Sequence, residues 1–252
     1  MSHVLRTNAP ASLVAHRAAS LRLPHFMKTL AIGLSLVATT IATASAAQAG
    51  PHPTIRAMAG AKALDHLDPK TTALVIIDFQ QEYFTGTMPI PDGKTALANA
   101  QRLIAFADKA GLPVFQVQHV TPAGSAVFAT DGDTVAFQPG MAPRPRDTVL
   151  QKNTVSVFAS TDLDQRLKAA NIKTLVIAGL MTHACVAGAA RDAVPLGYQV
   201  VVASDASATR AIARANGDTI DKDSLHRAAL AEIEDTFGDV MTTSEITHLP
   251  LR

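Results

Sequence analysis

Short runs of apolar, mostly β-branched residues alternate along the chain with segments whose apolar residues recur every three or four positions. Such runs are typical of strands buried on both faces, and the wider spacing is typical of amphipathic helices. The predicted strands are residues 72–77, 113–118, 147–152, 174–179, 199–204 and 239–242. The predicted helices are residues 93–110, a helix opened by a capping box at residues 161–164, and residues 184–196 and 224–236. This β-then-α order predicts a mostly parallel sheet with helices outside it.

The first 49 residues have the pattern of a secretory signal. An apolar stretch at residues 30–42 follows Lys28, and small residues lead to Ala-Gln-Ala at 47–49 before Gly50. The stretch is short for a membrane span, and its threonines make a core helix the weaker alternative. We therefore expect an exported protein, periplasmic or secreted, with residues 1–49 as signal region and residues 50–252 as one domain. Met27 would begin a signal of ordinary length, which favours it as the true start.

Charge and cysteine content argue against several classes of ligand and of metal site. The chain has 22 Lys and Arg against 21 Asp and Glu, so no strong global field favours nucleic acid or, once the signal is removed, a membrane. A single cysteine excludes an intrachain disulfide and a Cys-rich zinc site, and the nine histidines form no His-Glu-x-x-His pair. No glycine-rich phosphate loop is present. We expect a small-molecule substrate, no metal and no cofactor.

Three chemically active residues fall at or just beyond the carboxyl ends of predicted strands. Asp78 ends the first strand, Lys152 ends the third, and Cys185 follows the Gly179 turn where a helix is predicted to begin. Ligands bind at this edge of a parallel sheet, so an acid, a base and a thiol could meet there. Taken singly, each has a plainer interpretation: a buried cysteine, a strand-ending aspartate and a solvated lysine.

Position would make the thiol reactive. The free N–H groups at a helix N-terminus favour a thiolate, and a nearby lysine ammonium adds to the effect. The sequence therefore predicts that the pKa of Cys185 is lowered and that its sulfur is nucleophilic near neutral pH. A carboxylate beside it could take the thiol proton and later give it to a leaving amine.

Three stretches together resemble the isochorismatase-like cysteine hydrolases, a family that includes nicotinamidases and other amidohydrolases. They are ALVIIDFQ at residues 73–80, VLQK at 149–152 and AGLMTHACV at 178–186. The third contains a Gly-x-x-Thr-x-x-Cys-Val pattern, and with the other two it makes the resemblance specific over most of residues 70–210. The resemblance implies a three-layer α/β/α, Rossmann-like fold with a sheet of about six strands, and it favours a homo-oligomer.

The resemblance also implies how the residues act. Asp78, Lys152 and Cys185 would form a catalytic triad, and the peptide bond between Leu180 and Met181 would be cis. The backbone N–H groups of Met181 and Cys185 would form the oxyanion hole. Cys185 would attack an amide-type carbonyl to give a thioester, which water then hydrolyses, with Asp78 acting as base and acid in turn.

Other residues near the strand ends are candidates for binding the substrate. They are Phe79, Gln80, Phe84, His119, Phe158 and Thr182, and the alternative for each is packing into the core or the wall of the site. Nicotinamidases carry an Asp-x-His and further histidines after the second strand, whereas this chain has only His119 there. A lone histidine builds no tight metal site, so we expect neither a bound metal nor nicotinamidase activity. Residues 120–146 form a long irregular connection that could determine selectivity.

Two other functions stay open at this point. One is a thiol redox sensor or binding module, in which Cys185 is oxidised or simply packed. The other is cleavage of a vinyl ether, the reaction of isochorismatases, against which the presence of Cys185 argues. The prediction favoured here is a cysteine-dependent hydrolase of a C–N bond in a small amide or imide.

Overall fold

The computed structural model describes residues 50–252, so the predicted signal region and Met27 lie outside the described residues. Six parallel strands form one sheet in the order β3-β2-β1-β4-β5-β8. Their bounds are β1 Thr72–Ile77, β2 Val114–His119, β3 Thr148–Lys152, β4 Thr174–Leu180, β5 Gln199–Ala208 and β8 Asp239–Met241. A separate antiparallel pair joins β6 Ile212–Ala213 to β7 Thr219–Ile220. The prediction of a mostly parallel α/β sheet is confirmed.

Helices cover both faces of the sheet. They are α1 Ile55–Met58, α2 Gly93–Ala110, α3 Leu163–Ala169, α4 Ala187–Ala193, α5 Lys222–Glu232 and α6 Thr243–His248. The apolar side chains of α2 and α6 pack on one face of the sheet, and those of α3 and α4 pack on the other. Every residue of β1 is buried because successive side chains enter opposite cores. The strand can therefore be apolar throughout.

The central strands approach each other closely at Gly179 in β4. A Cβ atom at this residue would lie 2.4 Å from the carbonyl oxygen of Ile77 on β1, and the backbone φ is +152°. Only glycine fits this space and this conformation without displacing the neighbouring backbone. Ile77 directly precedes Asp78 on β1, and Gly179 lies two residues before Met181 on β4. The close contact between Ile77 and Gly179 therefore sets the distance between Asp78 and Met181, two parts of the candidate site.

The structure corrects four predicted boundaries. The capping box predicted at residues 161–164 does not form: the Thr161 hydroxyl accepts from the Leu163 N–H at 3.2 Å rather than from Asp164, and the Asp164 carboxylate pairs with Lys168. A capping box instead joins Thr242 to Glu245 at the start of α6.

The helix predicted from residue 184 begins with a π-turn at Thr182–Val186. Strand β5 continues beyond residue 204 to Ala208 through a register shift, and the last helix begins at Lys222 and ends in a π-turn at Ile233–Phe237.

The long connection at residues 120–146 is fastened to the strand ends. It contains a short 3-10 turn at Asp133–Val135. The carbonyl of Val135 accepts hydrogen bonds from the side-chain amides of Gln80 and Gln118, at 2.7 and 3.0 Å. Buried Glu82 also accepts a hydrogen bond from the Thr134 hydroxyl. These bonds hold the connection over the carboxyl edge of the sheet.

Within residues 50–252, no helix combines the length and the apolar character needed to cross a bilayer.

Candidate active site

Asp78 lies directly after β1 at a sharp change of backbone direction. Its N–H donates to the Val117 carbonyl at 3.0 Å, which continues the pairing with β2, and its φ of +54° is in the left-handed region. Aspartate tolerates this region better than most residues, and such conformations concentrate at functional sites. The side chain is fully buried. Burial raises the pKa of Asp78, and the charge of Lys152 opposes the rise without cancelling it.

Lys152 ends β3 and is also fully buried. Its Nζ lies 2.7 Å from Oδ2 of Asp78 and 3.3 Å from Sγ of Cys185. Two strands separate β3 from β4 in the sheet order, yet the long lysine side chain reaches across this gap. The structure therefore brings together the three residues that the sequence placed at separate strand ends.

Cys185 lies in the π-turn after β4 and is 4% exposed. Burial raises the pKa of its thiol to about 12; the negative charge of Asp78 adds to the rise and Lys152 opposes it. The prediction of a lowered thiol pKa is therefore wrong. Desolvation and the neighbouring carboxylate outweigh the ammonium, so the resting group is a thiol and needs a base before it can attack a carbonyl.

The backbone between β4 and the thiol has two notable features. The Leu180–Met181 peptide bond is cis. The Met181 carbonyl accepts from the N–H groups of Ala184 and Val186, at 3.1 and 3.3 Å, whereas the Met181 N–H donates to no acceptor within residues 50–252. A free N–H in this position can donate to an oxygen bound next to the sulfur.

Two predicted substrate-binding residues instead make contacts within the protein. The Gln80 amide donates to the carbonyls of His119 and Val135, at 2.8 and 2.7 Å, and accepts from the His119 N–H at 2.8 Å. Both of its N–H groups are occupied, so Gln80 has no free donor for a substrate. The His119 ring instead contacts Lys152, since its Nδ1 lies 2.6 Å from Nζ of that residue.

The other predicted pocket residues occupy three environments. Phe79 is fully buried in the core between the sheet and α2, and Phe84 is half-buried against the same core. Phe158 is half-buried and stacks on Tyr198, with ring centroids 6.1 Å apart. Thr182 is buried, and its hydroxyl lies 2.9 Å from Nδ1 of His226. Their contact with a substrate stays a prediction.

A group of aromatic side chains packs beside the cluster of Asp78, Lys152 and Cys185, and the sequence did not predict it. Phe128, from the 120–146 connection, packs edge-on against Tyr83, with ring centroids 5.3 Å apart, and its ring centroid lies 4.9 Å from that of His119. Phe128 is buried with a φ of +54°, an unusual conformation for a bulky side chain. Such a contact depends on tertiary structure alone, because nothing in the local sequence pattern of the connection points to it.

Arg210 is a second feature that the sequence analysis missed. It lies two residues after β5, at the same sheet edge, and its neighbour Thr209 is 2.6 Å from the His183 ring. Its Nε is buried and has no hydrogen-bond partner among the described residues. Together with the segment at residues 87–91, Arg210 lines an open cleft of about 510 Å³. An arginine close to the carboxyl end of a strand is the signal that could have found it, but the sequence predicts that this strand ends at residue 204.

Known proteins resemble this chain over most of its described length. The isochorismatase domain model matches residues 72–245. A secreted isochorismatase effector of Verticillium dahliae is 33% identical over 175 residues, which cover 69% of this chain and 90% of the relative. A ureidoacrylate amidohydrolase of Methylobacterium radiotolerans is 29% identical over 230 residues, covering 74% and 83%.

A solved structure supports the same assignment. An isochorismatase from Pseudomonas putida has a TM-score of 0.72 and 30% identity, and the match covers 78% of this chain and all of that one. The sheet order, the matched domain and these relatives agree. The chain belongs to the isochorismatase family and is a hydrolase.

Proposed function

We propose that this protein is a cysteine-dependent hydrolase that cleaves a C–N bond of a small amide through a thioester. The observation that carries the proposal is the contact of one buried ammonium with both the Asp78 carboxyl and the Cys185 sulfur. A general base, a nucleophile and a fixed positive charge are the groups that this chemistry needs. One relative is named a ureidoacrylate amidohydrolase, a name that denotes hydrolysis of a C–N bond.

The first half-reaction follows from the two raised pKa values. Asp78 takes the thiol proton as Sγ of Cys185 bonds to the carbonyl carbon, because a carboxylate with a raised pKa is a stronger base. The developing oxyanion is stabilised by the backbone N–H groups of Met181 and Cys185. The intermediate then collapses: the C–N bond breaks, Asp78 returns the proton to the amine, and a thioester forms.

The second half-reaction reuses the same groups. Asp78 takes a proton from water, whose oxygen attacks the thioester carbonyl. The C–S bond then breaks, and the proton returns to the Cys185 sulfur. The Lys152 ammonium faces whichever of Asp78 and Cys185 is anionic, so its charge balances both intermediate states.

The redox-sensor alternative has less support. Thiols that respond reversibly to oxidants have a low pKa and are accessible to solvent. Cys185 is 4% exposed, and its pKa is raised to about 12. Asp78 and Lys152 would also have no role in a sensor.

The test is a screen of small amides, imides and a vinyl ether with wild type, Cys185→Ala and Cys185→Ser in parallel. Release of ammonia or amine is measured for the amides and imides, release of the carbonyl product is measured for the vinyl ether, and melting curves show that the variants fold. We expect both substitutions to reduce kcat/KM by at least about a thousandfold. Mass spectrometry of the quenched wild type should show an acyl adduct on Cys185. Amide hydrolysis that survives Cys185→Ala, or cleavage of the vinyl ether alone, would refute the proposal.

The environment of Arg210 favours an amide that also carries a carboxylate. A half-buried guanidinium that lines an open cleft is suited to a charge-assisted hydrogen bond with an anionic group of a bound ligand. Arg210→Ala should raise KM for acidic amides by about 10- to 100-fold, the effect of losing hydrogen bonds to a charged group. Neutral amides of the same size are the matched control. An equal change in KM for both kinds of amide would contradict this role.

Export of the protein also belongs to the proposal, since one relative is a secreted effector and residues 28–49 have the signal pattern. Expression of the full chain should yield a mature protein that begins at or near Gly50. N-terminal sequencing of the protein recovered outside the cytoplasm measures this. An uncleaved N-terminus on protein retained in the cytoplasm would contradict it.

A further inference from the structure

The Lys152 ammonium has more acceptors around it than it has N–H groups. Its Nζ lies 2.6 Å from Nδ1 of His119, 2.7 Å from Oδ2 of Asp78, 3.2 Å from the Thr154 carbonyl and 3.3 Å from Sγ of Cys185. An ammonium has three N–H groups, so the four acceptors share them. The His119 contact is the shortest, and the mechanism above gives it no role.

The contact fixes the protonation of His119. Lysine only donates hydrogen bonds, so Nδ1 must be the acceptor and its proton must be on Nε2. Burial and, to a smaller extent, the positive charge of Lys152 together lower the pKa of His119 to about 4. The imidazole is therefore neutral at neutral pH. A neutral acceptor orients an ammonium without cancelling its charge, whereas a second carboxylate would compete with the thiolate for it.

The ring is held in place independently of the lysine. His119 ends β2 and is the register partner of Lys152 on β3. Its backbone N–H and carbonyl are both bonded to the Gln80 amide, and its ring packs against Phe128. The sheet, the Gln80 amide and the aromatic contact thus position this acceptor independently of its hydrogen bond with the lysine.

We propose that His119 is a positioning residue for the reaction, the neutral acceptor that holds Nζ of Lys152 between Asp78 and Cys185. Without this acceptor, the ammonium turns towards the Thr154 carbonyl and water, and the sulfur loses its counterion when it becomes negative. The inference rests on the proposed function for its role in turnover, while the contact with the sulfur can be tested without a substrate.

Two substitutions separate hydrogen bonding from packing. His119→Asn keeps an acceptor oxygen close to the position of Nδ1 but removes the ring. His119→Phe keeps a ring against Phe128 but removes the acceptor. We expect kcat of His119→Phe to fall by about 10- to 100-fold, the loss of a hydrogen bond to a charged group. KM should change less than about threefold, and His119→Asn should recover kcat to within about tenfold of wild type.

The second measurement is the alkylation rate of Cys185 by iodoacetamide at pH 8, which reports the only cysteine of the chain. His119→Phe should slow alkylation about tenfold or more, and His119→Asn should restore it. Wild-type kcat and alkylation rate in His119→Phe would overturn the inference, as would a loss in His119→Asn as large as in His119→Phe. If the wild type hydrolyses no amide, the proposed function fails, and alkylation still decides the role of His119.

Discussion

Strand β3 has a charged cluster at each end, and the two clusters control their aspartates in opposite ways. At the amino end, Asp147 accepts hydrogen bonds from the Arg144 backbone N–H at 2.9 Å and from its guanidinium at 2.7 to 3.2 Å. At the carboxyl end, Asp78 from the neighbouring region of the sheet faces the single ammonium of Lys152. Burial opposes ionisation of both carboxyls, yet the pKa of Asp147 is lowered and that of Asp78 is raised.

The comparison shows that the number of hydrogen-bond donors around a carboxyl group determines whether its pKa is lowered or raised. The hydrogen bonds from Arg144 together outweigh the burial of Asp147 and hold it as an anion that stabilises the fold. One ammonium, shared among several acceptors, does not outweigh the complete burial of Asp78. Asp78 can therefore exchange a proton during a reaction, while Asp147 keeps one charge state.

The largest expected effect is on activity. Asp78→Asn should lower kcat/KM by about a thousandfold or more, since the amide cannot take the thiol proton. Asp147→Asn is the matched control and should stay within about threefold of wild type. Steady-state kinetics on the best amide from the screen measures both. A comparable loss in folded Asp147→Asn protein would show that the two clusters do not differ in function.

The second expected effect is on the titration of the thiol. Absorbance near 240 nm, taken as wild type minus Cys185→Ala, should show no ionisation step between pH 6 and 10. With a pKa of about 12, only about one thiol in a thousand is ionised at pH 9. Both tyrosines of the chain also have raised pKa values, so they interfere little. A step centred below pH 9 would show that the ammonium outweighs burial after all.

The smallest expected effect is on stability. Asp147→Asn should lower the free energy of unfolding by about 1.5–3 kcal/mol at pH 7, the range for hydrogen bonds to a charged group. Because the folded-state pKa of Asp147 is lowered, its contribution is present above the ordinary value of 3.8 and is lost as the pH falls below it. Urea unfolding at pH 7 and at pH 3 measures the difference. A gap that stays constant or widens at pH 3 would contradict the ion-pair role.

The sequence predicted that Asp78, Lys152 and Cys185 lie close together, but it did not predict their electrostatics. Asp78 ends an apolar run and Lys152 ends a short predicted strand, and both strands can be read from the local sequence. The pKa of Cys185 depends instead on how deeply the sulfur is buried and on which charges face it. Neither quantity is encoded near residue 185, so a position at a helix N-terminus alone predicts a shift of the thiol pKa in the wrong direction.

Irregular backbone and contacts with distant backbone groups explain the other differences between the predicted and the observed structure. The register shift in β5 occurs where Ser204 and Asp205 interrupt the apolar run, so the predicted strand stopped there and Arg210 was not placed at the sheet edge. The Gln80 amide bonds to backbone groups 39 and 55 residues away. A side chain that hydrogen-bonds to distant backbone groups produces no periodic pattern in the sequence. From the sequence alone it cannot be distinguished from a side chain that binds a substrate.

The sequence by itself determined the α/β architecture, the resemblance to the hydrolase family and the three residues at the strand ends, because local apolar patterns and short motifs are enough for these. Only the tertiary structure decided that the thiol rests protonated, that His119 contacts Lys152 and that Gln80 fastens the long connection. These properties arise from desolvation and from contacts between residues far apart in the chain, and both exist only once the sheet has formed.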